Sequence, residues 1–172
     1  MSPLERIITV IDGINLTVGR GIAWLALIMA LLQFVIVIMR YVFAIGFIPM
    51  QESVWYLHGM LFTIGAGFTL LHDGHVRVDV LYREASSRRR ALVDLVGSLF
   101  CLLPLCLLTL YLSWGYVLNS WRILESSTET SGLPLIFVLK TMIWLFAGLL
   151  GLQSISLAAR AARHLKGETP DY

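Results

Sequence analysis

This sequence has little charge. Only 14% of its 172 residues are Asp, Glu, Lys or Arg, against 58% hydrophobic residues, and the mean hydropathy is +0.79. So little polar sequence cannot cover a water-soluble globule, and it leaves no room for a separate soluble domain. The net charge of +2 is too small to suggest a nucleic-acid partner, and the basic residues sit in short clusters instead of along one long face. Cysteine is nearly missing as well. Cys101 and Cys106 lie in one apolar run, without CxxC spacing or a hydrophilic setting that would lower a thiol pKa, so both read as packing residues. A secretory signal peptide is not expected either. The first long apolar run begins near Gly21, exceeds an ordinary signal core, and follows a mixed Glu5, Arg6, Asp12 segment instead of a clean basic one.

What the sequence does have is four long apolar runs, about 21–39, 54–71, 91–118 and 135–159. At 1.5 Å per helical residue each can cross a hydrocarbon core of about 30 Å. The second is the shortest and is expected to need flanking residues or local thinning of the bilayer. The third is long enough to tilt or project, and Pro104 should kink it by freeing the carbonyl of Phe100. Lys140 is close enough to the start of the fourth to snorkel. Backbone groups in lipid must be satisfied internally, so the expected fold class is all-α integral membrane, one domain over 1–172.

Before the first span, Leu4, Ile7, Ile8, Ile11, Ile14 and Val18 recur at helical spacing, with Glu5, Thr9, Asp12 and Asn15 largely elsewhere on the wheel. This predicts an amphipathic helix over 3–19 lying in the cytoplasmic interface, serving either as a plain lead-in or as a docking element. The end of the chain, 163–172, reads as a polar tail.

Orientation follows from the basic residues. Arg6, Arg20, Arg77, Arg83, Arg88, Arg89, Arg90, Arg160, Arg163 and Lys166 fall on one side of the four spans, against Arg40, Arg122 and Lys140 on the other. The positive-inside rule then places both termini in the cytoplasm. Tyr41, Trp55, Tyr56, Tyr116, Trp121 and Trp144 gather toward the outer face, where amphipathic rings anchor at headgroups. Small residues mark where helices can approach closely: Gly59, Thr63 and Gly67 on span two, Ala26 and Ala30 on span one, and Ala147, Gly151, Ser154 and Ala158 on span four.

A carrier with its own substrate path needs polar or ionisable groups at mid-membrane, often beside broken helices in paired repeats. Here the inventory is Gln33, Thr63, Thr109 and Gln153, with His58 nearer the outer end and Asp94 near the inner start of span three. An independent pump is therefore not expected. A haem-anchoring or electron-transfer subunit needs two facing histidines at similar depth, whereas His58 lies outward and His72, His75 and His164 lie at or beyond the inner boundary. His72, Asp73, His75 and Asp79 could be read as metal ligands, but their spacing matches no recognised site; pairing of Arg77 with Asp73 or Asp79 is the alternative. The Ser126–Ser131 run has no base positioned by a visible motif, so no catalysis is expected.

One ordered set of segments resembles a known family. Arg40-Tyr41-Val42-Phe43 ends span one, Gln51-Glu52-Ser53 leads into Trp55, His72-Asp73-Gly74-His75-Val76-Arg77-Val78-Asp79 follows span two, and Gly132-Leu133-Pro134 precedes span four. Over roughly residues 20–160 this resembles the small, DctQ-like membrane subunit of tripartite ATP-independent periplasmic (TRAP) transporters. The resemblance implies a large membrane subunit that moves an organic acid with sodium by an elevator-like motion, a periplasmic substrate-binding protein, and lipid around the assembly. It implies a bacterial or archaeal inner membrane and no cofactor in this chain, since sodium coupling belongs to the large subunit. A stand-alone assembly or regulatory membrane protein is the other alternative. On the DctQ-like reading, the small-residue faces of the spans pack against the partner. Arg40 and Glu52 pair with each other or with a partner, or else snorkel and stabilise a helix N-terminus. Glu125 and Glu129 are docking contacts or members of a solvated loop, and His75, Arg77 and Asp79 fix the inner end of span two.

Overall fold

The computed structural model describes residues 3–76 and 85–168. Among them the chain is all helical: α1 Pro3–Tyr41, α2 Ile48–Leu71, α3 Ser87–Val96, a π-helical turn Gly97–Leu102, α4 Leu103–Arg122 and α5 Ile136–Leu165. α3, the π turn and α4 form one continuous rod, so the chain offers four helices long and apolar enough to cross a membrane. The all-α membrane fold expected from composition is the fold observed.

Residues 3–19 are helical, as their spacing predicted, and they continue without interruption into the first span, so that α1 runs 39 residues. Its length is therefore about 58 Å. Gly13, Gly19 and Gly21 do not break it. Gly19 is buried against Phe68, close enough that a Cβ would fall 2.5 Å from the Phe68 Cβ.

α2 begins six residues before its apolar run. Phe47 is extended, and Pro49 sits in the first turn, where a missing N–H costs nothing. The helix is 24 residues, about 36 Å, so the second span needs no thinning of the bilayer. Its C-terminal end closes in a turn in which Asp73, at φ +57°, takes the left-handed conformation and the Gly74 N–H bonds the Thr69 carbonyl at 2.8 Å. In the third span, the distortion expected at Pro104 takes the form of the π turn that precedes it. The Leu103 N–H reaches back five residues to the Ser98 carbonyl. This shifts the ladder just before the residue that cannot donate.

α5 is the hub. It touches α1, α2, α3 and α4, whereas α1 packs on α2 and α5 and has no substantial contact with the third span. The arrangement is thus a triangle of α1, α2 and α5 with the third span laid against α5, not a closed ring of four. Ala147, Gly151, Ser154 and Ala158 are all buried on α5, as their spacing predicted, and Ala66, Cys106, Ala147 and Leu150 form the apolar centre. Ala26 and Ala30 are exposed, so the small-residue face of span one is not used within the chain.

Gly67 is buried because Asn15 lies against it. A Cβ there would overlap the Asn15 amide and sit 3.2 Å from the Leu149 carbonyl oxygen. Gly67→Ala should destabilise by about 1–3 kcal/mol through overpacking. Gly148→Ala, where nothing lies within 4 Å, should be neutral or gain up to about 1 kcal/mol of helix propensity. Thermal melting of the two variants in one detergent checks both signs.

Candidate functional site

Two polar assemblies hold the helices together, one at each end. The one at the end away from both termini, the outer end on the positive-inside expectation, is built from the loop 123–135. α4 ends at Arg122, and Leu124, at φ +46°, reverses the chain. The loop then folds on itself: the Ser127 N–H bonds the Leu133 carbonyl at 3.1 Å, the Gly132 N–H bonds Glu129 at 3.0 Å, and the Ile136 N–H bonds Glu125 at 3.1 Å. Glu52 reaches across from α2. One carboxylate oxygen accepts the Ser127 hydroxyl and the other accepts the Leu133 N–H at 2.5 Å. Gly132 is required by this close approach, since a Cβ would lie 2.7 Å from Glu52 Oε1. Glu52 is therefore the staple between α2 and the loop, and its partner is not Arg40, which stands exposed in the last turn of α1.

Lys140 does more than snorkel. Its Nζ is 2.5 Å from Glu125 Oε2 and 3.9 Å from the centre of the Tyr116 ring, so one ammonium ties α5 to the loop and to α4. Trp121 supports the same corner. Its Nε1–H donates to Thr141 at 2.8 Å and its ring meets Phe137 edge-on at 4.7 Å. Glu125, Glu52 and Lys140 are brought together here, with Glu129 at the rim. Trp55 stands out from α2, 74% exposed, beside a cleft of about 420 Å³ lined also by Tyr56, Ser126, Thr128 and Glu129. The Lys140 ammonium holds the Glu125 carboxyl below the ordinary carboxylate range.

At the inner end, His75 Nε2 lies 3.2 Å from the Ala66 carbonyl, which folds the turn back onto α2. Arg77 and Asp79 lie outside the described residues. Of the span-two face, Gly59 packs against Leu139 and Thr63 bonds the Gly59 carbonyl within its own helix at 2.6 Å.

The inner assembly is one that sequence reasoning missed. Asp12 Oδ1 accepts from Gln153 Nε2 at 3.0 Å and from the Ser156 hydroxyl at 2.7 Å, while Oδ2 faces Arg160 at 3.4 Å. Asn15 donates to Gln153 Oε1 at 2.8 Å, and Arg163 binds Glu5 at 2.7 Å. Asn15, Gln153 and Ser156 are almost fully buried. Asp12 and Asn15 were assigned to the polar side of a surface helix, and Gln153 to a sparse mid-span inventory. The available signal was matched spacing: Asp12 and Asn15 share one face of α1, as Gln153, Ser156 and Arg160 share one face of α5.

Gln153→Leu removes two buried side-chain bonds and leaves Asn15 and Asp12 short of partners. We expect a loss of about 1–3 kcal/mol in detergent melting, with the effect non-additive to Asp12→Ala in a double-mutant cycle. The outer corner responds to acid. Because the folded Glu125 pKa is depressed, its stabilisation is present above the unfolded value of about 4.3 and is lost as pH falls through the folded value. Wild type should therefore lose more of its melting temperature between pH 7 and pH 4 than Lys140→Met does.

Comparison with known proteins gives the geometry its context. The family model for the DctQ component of tripartite ATP-independent periplasmic transporters matches residues 29–164. The C4-dicarboxylate TRAP transporter small permease protein DctQ of Vibrio cholerae serotype O1 is 36% identical over 88 residues, which cover 51% of this chain and 38% of that protein. The match thus takes in well under half the length of that relative. No solved structure matches. The family model covers four-fifths of the chain, taking in the last third of the first candidate span and all or nearly all of the other three, and the chain accordingly belongs to the DctQ family, a multi-pass inner-membrane component of TRAP transporters.

Proposed function

We propose that this chain is the non-catalytic small permease subunit that braces a large sodium-coupled elevator subunit, which imports an organic acid delivered by a periplasmic binding protein. The observation that carries this reading is how the polar side chains are spent. Asp12, Asn15, Gln153 and Ser156 bond one another across the α1–α5 contact, and Glu52, Glu125 and Lys140 lock the outer loop. What faces outward is apolar: Trp24, Leu27, Leu31 and Phe34 on α1, and Phe100, Leu108 and Leu112 along the third span. A rigid body with apolar flanks suits a fixed wall against lipid and a larger membrane subunit, and offers cargo no polar route of its own.

On this reading both termini lie in the cytoplasm, and the loop carrying Glu125 and Glu129 faces the binding protein. The segment carrying His75, Arg77 and Asp79 fixes the inner end of α2 against the partner. Lipid fills the remaining exposed surface.

The test is reconstitution. Proteoliposomes holding this chain alone, the large subunit alone, or both, each supplied with the binding protein, should show sodium-dependent uptake only when both are present. Uptake by this chain alone overturns the proposal, as does full uptake by the large subunit without it. Arg77→Ala should lower recovery of the large subunit in a mild-detergent pull-down more than it changes substrate affinity.

A further inference from the structure

α1 and α2 do not close on each other along their whole length. Toward the end that carries both termini they part around a crevice of about 300 Å³, with Gly19, Ile22 and Ala23 on one wall and Leu61, Phe62 and Gly65 on the other. We propose that this crevice binds one acyl chain of an anionic phospholipid whose phosphate is held by Arg20. Its floor is the close contact of Gly19 with Phe68. A Cβ built on Gly65 would meet nothing within 4 Å, so packing inside the chain does not require a glycine there; the effect of that glycine is to leave the space open.

The lining and the dimensions fit a hydrocarbon chain. Thr69 carries the one polar side chain on the walls, and its hydroxyl is spent on the Gly65 carbonyl at 3.0 Å, so no polar atom is left to orient a small polar solute. Along α2 the crevice runs from Leu61 to Thr69, about 12 Å. That is close to half of a hydrocarbon core of about 30 Å, the depth one leaflet occupies. A helix with its side chains is about 10–12 Å across, so another polypeptide would cover the opening without filling it. Charge selects the headgroup. Arg20 lies one turn nearer the end of the bundle than Ala23, is exposed, and makes no ion pair among the described residues. Asp12, about two turns earlier on α1, is already spent on Gln153, Ser156 and Arg160. On the facing helix, His72 follows Gly65 and Thr69 on one face, with its Nδ1 3.0 Å from the Phe68 carbonyl, which puts a polar ring at the same mouth. A guanidinium fork takes a phosphate through paired hydrogen bonds, and an unpaired cation favours a net negative headgroup over one that carries its own ammonium. The inference does not depend on the transporter reading; it requires only that the chain crosses a bilayer.

The experiment is photolabelling of the full chain in maltoside micelles doped with phosphatidylglycerol that bears a diazirine on one acyl chain, with labelled residues mapped by tandem mass spectrometry. Labelling should concentrate on residues 19–23 and 61–69, at least fivefold above the exposed Phe100 and Leu108 of the third span. Unlabelled phosphatidylglycerol should displace it at least threefold more effectively than phosphatidylcholine with the same chains. Gly65→Leu, which fills the crevice, should cut labelling there at least fivefold and leave the third span unchanged. Arg20→Gln should remove the headgroup preference, and both variants should melt near wild type. Even labelling over all apolar faces, equal displacement by the two lipids, or a crevice signal that survives Gly65→Leu overturns the proposal. An unlabelled crevice together with a dimer that Gly65→Leu disrupts, read by light scattering, gives the crevice to a second copy of the chain and overturns it as well.

Discussion

The hydrogen bonds that join Asp12 and Asn15 of α1 to Gln153 and Ser156 of α5 are the constraint on which the rest of the structure leans. Between apolar helices in lipid there is no hydrophobic driving force to choose one rotation over another, since tails are as apolar as Leu. Polar side chains make that choice. Once Asp12 has accepted from Gln153 and Ser156, and Asn15 has donated to Gln153, the rotation and register of α1 on α5 are set. Gly67 then has to be a glycine, because the Asn15 amide occupies the space a Cβ would take, and α2 is drawn into the same contact. Three helices become one body through a few buried polar atoms.

The same economy operates at the outer end with a different geometry. Glu52 does not stabilise its own helix terminus or meet Arg40; it satisfies a hydroxyl and a backbone N–H in a loop some eighty residues away in sequence. Lys140 closes the corner by binding Glu125 and standing over Tyr116. α5, fastened at both ends, becomes the element on which every other helix packs. That leaves α1 and the third span apart, and their unshared apolar faces directed away from the chain.

Several features were legible in the sequence for simple physical reasons. Length and hydropathy sufficed for four spans, because the bilayer sets the length and admits only helices. The stripe Ala147, Gly151, Ser154 and Ala158 was readable because a helix repeats its face every three to four residues, and all four are buried. Others were not. The α1–α5 contact could not be read from segment 3–19: its spacing showed an amphipathic helix, but not that the polar Asn15 would be buried against α5 while Leu4, Ile7 and Ile14 are exposed. Ala26 and Ala30 resembled a contact face and touch no helix of this chain closely.

The sequence by itself determined how many times the chain crosses the membrane, how the basic residues divide between its two sides, and the family to which its ordered landmarks belong, since each depends on composition and local spacing alone. Only the tertiary structure decided which polar residues are partners, that α1 is one unbroken helix, and that Glu52 and Lys140 hold a loop. Those outcomes depend on distances between residues far apart in the chain. No periodicity within one helix can report which face of another it will meet, and it was that meeting which turned scattered polar residues into two fasteners.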